Sequence, residues 1–202
     1  MKLYDLTLSG NCYKVRLFAA LAQLDLTIVP VDFMASEHKT PQMIALNPFA
    51  EIPILEDDQV VLRDAQAILV YLGNRYGGEA WWPGEAHLQG EVMQWLSVAA
   101  NEIQHGPNVA RLIVKFNSPA DANLAKSRSQ HILGLLNSHL TSHDWLAAGR
   151  PTIADCAVFP YVALAEEGDL SLIDYPNVIA WIDRVKKLPG YIDMPGLYGQ
   201  RM

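Results

Sequence analysis

The stretch from Asn47 to Tyr76, NPFAEIPILEDDQVVLRDAQAILVYLGNRY, restricts the fold of this chain more than any other. Ile54-Leu55 and Val60-Val61-Leu62 are short apolar runs separated by the turn-forming residues Glu56-Asp57-Asp58-Gln59. Two such runs across an acidic turn predict a β-hairpin. Asp64 follows, a good N-cap whose carboxylate suits the positive end of a helix dipole. Behind it Ala65, Ile68, Leu69 and Leu72 recur at helical spacing, and Tyr76-Gly77-Gly78 is the expected stop. Pro53 precedes the first run. A proline donates nothing to a strand ladder, so it marks a strand's first residue or an edge. The backbone of Ile52 is then open to an extended peptide. X–Pro bonds in folded proteins are mostly trans, so taken alone these residues predict a trans bond.

Upstream, Leu3, Tyr4 and Leu6 suggest a first strand, broken by Thr7-Leu8-Ser9-Gly10-Asn11. A helix is predicted from about Asn11 to Gln23, a second strand over Leu26–Val29, a loop at Ser36–Lys39 and a short helix from Pro41 to Leu46. The order is βαβαββα, with strands one and two parallel through a right-handed crossover. Residues 78–85 read as a linker of glycine, tryptophan and proline between a domain at 1–77 and an all-helical domain at 86–202. In that second domain helices are predicted over about Glu85–Phe116, Pro119–His143, Thr152–Glu166 and Pro176–Lys187. Thr152 and Asp155 are spaced as a capping box, with Asp in the Glu/Gln position. That is a stability device, and no chemistry is assigned to it.

Composition narrows the function. A net charge of −7 leaves no basic footprint for nucleic acid. The opening MKLYDLTLSG lacks the layout of a signal peptide, and no apolar run nears the ~20 residues of a membrane span. Cys12 and Cys156 fit neither a disulfide framework nor a zinc spacing, so a reducing cytoplasm is expected.

Chemistry concentrates after the first strand. A helix N-terminus offers free N–H groups and a positive dipole, which suit an anion such as a thiolate. Ser9 and Asn11 can donate hydrogen bonds to such an anion, or can simply cap the helix. Cys12 reads as a reactive thiol or, since it lies a turn into the helix, a small buried residue. Lys39, with His38 and Gln42, either binds a carboxylate or is a solvated loop. His139 and His143 have i,i+4 spacing but no carboxylate motif beside them, so no metal site is assigned.

Ser9-Gly10-Asn11, Ala45-Leu46-Asn47-Pro48, Glu51-Ile52-Pro53-Ile54-Leu55, Leu62-Arg63-Asp64-Ala65, Ala67-Ile68-Leu69-Val70-Tyr71-Leu72 and Pro151-Thr152-Ile153-Ala154-Asp155 together resemble the cytosolic glutathione transferase superfamily, over nearly the whole chain. The resemblance implies a thioredoxin-like domain followed by a helical bundle, a homodimer, and glutathione as co-substrate with no metal. It implies that Pro53 is cis and that the Ile52 backbone, flanked by Glu51, pairs with the cysteinyl part of glutathione. Ser9 would hydrogen-bond the sulfur and lower its pKa. Ser9-Gly10-Asn11 is similar to the Ser/Thr-x-Asn arrangement of some bacterial transferases, whose Asn also faces the sulfur. Asp64 falls on the acidic residue that holds the γ-glutamyl end, and Lys39, with His38, falls where the glycyl carboxylate is bound. Ala65 departs from the usual Ser or Thr. Its N–H survives but the hydroxyl is lost, a hydrogen bond to a charged group worth roughly 1.5–3 kcal/mol.

The reaction so implied is attack of glutathione thiolate on a small electrophile held against the helical domain. Asn101, His105, Asn108 and Arg111, polar residues at roughly helical spacing, are candidates for that second site, against the simpler reading of a solvated face. The alternatives are a thiol-disulfide or peroxide reductase acting through Cys12, and a non-catalytic interaction module on the same fold.

Overall fold

The computed structural model describes residues 1–198. Residues 199–202, the end of the expected helical domain, lie outside the described residues. The chain begins β1 (Lys2–Asp5), α1 (Gly10–Leu21), β2 (Thr27–Pro30), α2 (Pro41–Leu46), β3 (Ile54–Asp57), β4 (Val60–Arg63) and α3 (Ala65–Leu72). This is the βαβαββα order of a thioredoxin-like unit. The four strands form one sheet in the order β2-β1-β3-β4. β1 runs parallel to β2 and antiparallel to β3, and β3 and β4 form the hairpin.

The remaining helices are α4 (Gly78–Trp81), α5 (Ala86–Ala100), α6 (Val109–Phe116), α7 (Ala122–His139), α8 (Ile153–Ala163) and α9 (Pro176–Lys186). Among the described residues, every strand precedes α3, and no helix is long and apolar enough to cross a membrane. One apolar core runs from Leu3, Phe18 and Leu69 beneath the sheet to Leu136, Phe159 and Trp181 in the helical half.

Four expectations are corrected. Glu56 and Asp57 belong to β3, and the hairpin turns at Asp58-Gln59, with Asp58 at φ 52°. The buried Asp57 carboxylate accepts from Tyr71 Oη at 2.9 Å and Tyr76 Oη at 2.5 Å, which holds its residue in the strand. The stop expected at Tyr76 falls differently: α3 ends at Leu72 and the chain continues as a wide π turn over Gly73–Gly77. Gly78, at φ 58°, redirects it in a conformation that favours glycine. The 78–85 segment is not featureless, because it contains α4, whose last carbonyls accept from Arg150 (Nη2 to Glu79 O, 2.6 Å). The single helix expected from Glu85 to Phe116 is broken between α5 and α6. Pro107 lacks an N–H and crowds the carbonyl four residues back, so the backbone widens into a π turn at Gln104–Asn108. Gly106 lets that turn sit against the α7 backbone, where a Cβ would meet Ser129 N at 3.2 Å.

The capping box forms as expected. Thr152 Oγ1 accepts from Ala154 N (3.2 Å), and Asp155 Oδ2 accepts from Thr152 N (2.9 Å). Asp155 also holds the loop before α8 and the core of α9, because Oδ1 accepts from Leu146 N (3.3 Å) and from Trp181 Nε1 (2.9 Å). Burial pushes its carboxyl up to about 6, while those N–H donors pull the other way. Every residue of α8 is buried, so nothing there can turn to water if the carboxylate is lost. Asp155→Ala would leave three buried donors unpaired, and each costs about 1–3 kcal/mol. We expect it to lower the unfolding free energy by about 3 kcal/mol or more. Urea denaturation followed by circular dichroism measures this, and a loss below about 1 kcal/mol would refute the assigned role.

Candidate active site

The sheet register gathers the candidate residues at one end. β1 and β2 run in parallel and stop together at Asp5 and Pro30, so the Ser9 and His38–Lys39 loops leave from the same end. β3 starts there, since Tyr4 pairs with Ile54, which places Ile52–Pro53 just outside. Ile54 also pairs with Arg63, so Asp64 emerges beside them.

Ser9 is the N-cap of α1, in an extended conformation (φ −81°, ψ 119°). Its Oγ accepts from Cys12 N at 3.3 Å. Capping uses an oxygen lone pair and leaves the hydroxyl proton to donate elsewhere. The capping reading of Ser9 is met, and capping does not consume the proton that the other reading needs. Asn11 lies in the first turn, with its Oδ1 buried and, among the described residues, without a partner. Its backbone N–H donates to Tyr161 Oη at 3.2 Å.

Tyr161 of α8 is the site residue that the sequence reading missed. It appeared there only as an apolar residue of a buried helix. The available signal was a phenol inside an otherwise apolar run, since a buried tyrosine O–H requires a partner. Its ring fills the space over Gly10, where a Cβ would stand 2.5 Å from Tyr161 Cε1. Burial pushes its phenol up to about 12, opposed by the charge of Arg111 and by the N–H groups of Asn11 and Gly10.

The Ile52–Pro53 bond is cis. This corrects the trans bond predicted from these residues alone and agrees with what the resemblance implies. The loop ahead of it is clamped by buried Asn47, whose Nδ2 donates to Glu51 O (2.7 Å) and whose Oδ1 accepts from Phe49 N (3.0 Å). The Glu51 side chain is exposed. Asp64 caps α3 through Oδ1, which accepts from Gln66 N (3.0 Å) and Ala67 N (2.9 Å). It does so at φ 72°, a left-handed backbone that is costly for a non-glycine residue and typical of functional positions. Ala65 is buried at the first helical position, whose N–H has no partner within the helix.

His38 stacks on Phe33 with ring centroids 3.8 Å apart, and burial, then Lys39, holds its imidazole below the usual value. Lys39 is exposed on the same short 3-10 turn.

The second-substrate candidates do not share one solvated face. The widened turn at Gln104–Asn108 leaves Asn101 and His105 exposed but buries Asn108 and Arg111. Arg111 pairs with Glu167 (Nε to Oε2, 2.6 Å), which Lys115 also contacts. Of the four, Arg111 is the one whose charge reaches Tyr161. His139 and His143 stack at 4.2 Å in the helical half, and no group of three or more metal-ligating side chains occurs among the described residues.

Cys12 is fully buried, and its thiol is pushed up to about 12 by burial, so at neutral pH it is not a nucleophile. Cys156 is buried and raised in the same direction. We expect neither thiol to react with Ellman's reagent in the native protein and both to react after denaturation. Rapid labelling of native Cys12 would return it to the chemistry.

Two family models match the chain: the glutathione S-transferase N-terminal domain over residues 3–80 and the C-terminal domain over residues 119–184. A probable glutathione S-transferase of Oryza sativa subsp. japonica is 30% identical, covering 90% of this chain and 89% of its own. The crystal structure of a glutathione S-transferase from Pseudomonas fluorescens superposes with a TM-score of 0.90 at 30% identity, over 96% of this chain and 98% of that one. That of a possible glutathione S-transferase from Rhodopseudomonas palustris gives 0.88 at 32%, over 96% and 97%. With a thioredoxin-like unit joined to a helical half, and family models matching both, the chain belongs to the glutathione S-transferase superfamily.

Proposed function

We propose that this protein binds glutathione at the sheet end described above and transfers its thiolate to a small electrophile. The observation that carries this reading is the Ser9 hydroxyl, which caps α1 with a lone pair and leaves its proton free to donate. The N-terminal dipole of α1 and the Asn11 amide add to the same field, fixed before the ligand arrives. The cysteinyl backbone pairs with Ile52 ahead of cis Pro53. The γ-glutamyl end meets Asp64 and the N–H of Ala65, and the glycyl carboxylate faces Lys39 and His38, with Glu51 at the rim. The electrophile lies against the helical half, on the side carrying Tyr161 and Arg111, with Asn101, His105 and Asn108 around it. The reductase alternative requires a reactive Cys12, and burial of that thiol opposes it. Residues 78–85 serve as the joint between the two domains, and a cytoplasmic location suits both free thiols.

Ser9→Ala should lower kcat/KM for conjugation of a chlorinated nitroaromatic by about tenfold or more, because one donor to a developing anion is lost. Steady-state kinetics with circular dichroism as control checks this, and an unchanged value would remove Ser9 from the mechanism.

The proposal includes a homodimer. Phe49 is 59% exposed and carries the Arg63 guanidinium 3.8 Å above its ring, while Val61 and Met93 are also exposed. An aromatic anchor of this kind is expected to insert into a second copy. Sedimentation should give about twice the 22.4 kDa chain mass, and Phe49→Ser should shift the protein toward monomer. A wild-type monomer would defeat the assignment.

A further inference from the structure

Lys14 carries a buried amine that the function above does not use. It lies on α1 one turn past Gly10, its side chain is fully buried, and among the described residues its Nζ has no hydrogen-bond partner. The Nζ stands 5.4 Å from the centroid of the Tyr161 ring. A lysine that served only packing would be replaced at no loss by methionine, since burying an ammonium without a partner is costly.

A second orphan sits beside it. Asn11 Oδ1, the end of that carboxamide shut away from water, is an acceptor without a donor. Asn11 and Lys14 are three residues apart and so share a helix face. Helical side chains lean toward the N-terminus, which carries Lys14 toward Asn11 and the α1 tip. A donor without an acceptor and an acceptor without a donor therefore lie on one face of the first turns of α1, both on residues that meet Tyr161.

We propose that Lys14 is a positioning residue for the thiolate: as glutathione binds and its thiol ionises, the buried Nζ gains a proton and the resulting ammonium donates to Asn11 Oδ1, polarising the Nδ2–H toward the sulfur. The S–H bond breaks with its electron pair left on sulfur, and an N–H bond forms from the Nζ lone pair. The proton lost by the thiol is matched by the one the amine gains, so no net proton is released to solvent and no oxidant is required. This inference rests on glutathione sulfur lying at Ser9.

The surroundings allow that exchange. Burial lowers Lys14 to about 7, so the resting group is largely a free amine above neutral pH. Asp64, at the α3 cap, is the charge that favours protonation. Tyr161 on α8 and Cys12 on α1, both raised to about 12, stay neutral. Arg111, whose charge bears on Tyr161, is already tied to Glu167.

The test joins two measurements at about pH 8, where free glutathione is mainly thiol and a surface lysine would be fully charged. The ultraviolet absorbance of bound thiolate counts thiolates formed, and calorimetry in two buffers of different ionisation heat counts protons released. For the wild type we expect thiolate to form with well under one proton released per thiolate. Lys14→Met should release one proton per thiolate and raise the midpoint of bound-thiolate formation by about one pH unit, about tenfold less thiolate at a fixed pH below it. Binding of S-methylglutathione, which has no thiol, should exchange no protons in either protein. A full proton released per thiolate by the wild type overturns the proposal without recourse to a variant, as does an unchanged midpoint in a folded Lys14→Met. Absence of binding by both ligands overturns it together with the glutathione assignment.

Discussion

The close approach of Gly10 to the Tyr161 ring is the contact on which the candidate site depends. Because residue 10 has no Cβ, the tyrosine of α8 can lie directly against the first turn of α1. Its hydroxyl then meets the N–H of Asn11 at 3.2 Å. The seam between the two halves of the molecule is thereby placed at the helix N-terminus that carries Ser9. The same contact closes the space around Lys14, whose Nζ lies 5.4 Å from that ring. A larger residue at position 10 would push α8 outward and admit water to α1. The surrounding core would resist this, because α8 is buried along its whole length and tied by Asp155 to Trp181.

Legibility in the sequence follows the range of the interaction concerned. The hairpin, the Asp64 cap and the Thr152–Asp155 box are local patterns, and all three form, the hairpin with its turn drawn in to Asp58-Gln59. The order of strands and helices is equally local, because alternation and helical spacing are set by near neighbours. The breaks were harder. Pro107 announces a disruption, but whether the chain ends a helix or widens it is decided by what packs there, here the α7 backbone at Ser129. That choice also decides the fate of the four polar residues from Asn101 to Arg111. On an unbroken helix they would share one face, but across a π turn two of them are buried. Tyr161, which completes the α1 tip from the far half of the chain, has a sequence separation of 150 and no local signature. The cis bond before Pro53 entered through the resemblance alone, and the two residues gave no sign of it.

Lys14 illustrates a different blindness. In the sequence it is an ordinary helical lysine beside Tyr13, and only the fold encloses it. Burial acts alike on each titratable group of this turn, disfavouring the charged form. It raises Cys12 and Tyr161 and lowers Lys14, so each is driven toward neutrality. Neither Cys12 nor Tyr161 therefore supplies an anion at the α1 tip. The tip's permanent attraction for negative charge comes from oriented N–H groups and the helix dipole, which need no counter-ion.

A fixed, fully charged lysine at this depth would act otherwise. It would have to be neutralised at rest by a buried carboxylate, and that carboxylate would then repel the thiolate when it formed. A lysine that is largely an amine until the ligand arrives avoids this conflict. The ligand that satisfies such a site is an acid bringing its own proton, and a thiol qualifies where a preformed anion such as chloride does not. Under the proposed function, selectivity for a weak acid over a strong anion then arises from burial of one amine, while the proposed donors, the hydroxyl of Ser9 and the amide of Asn11, fix where the resulting charge sits. The same burial that makes Lys14 look wasteful for stability is what makes its charge conditional on the substrate.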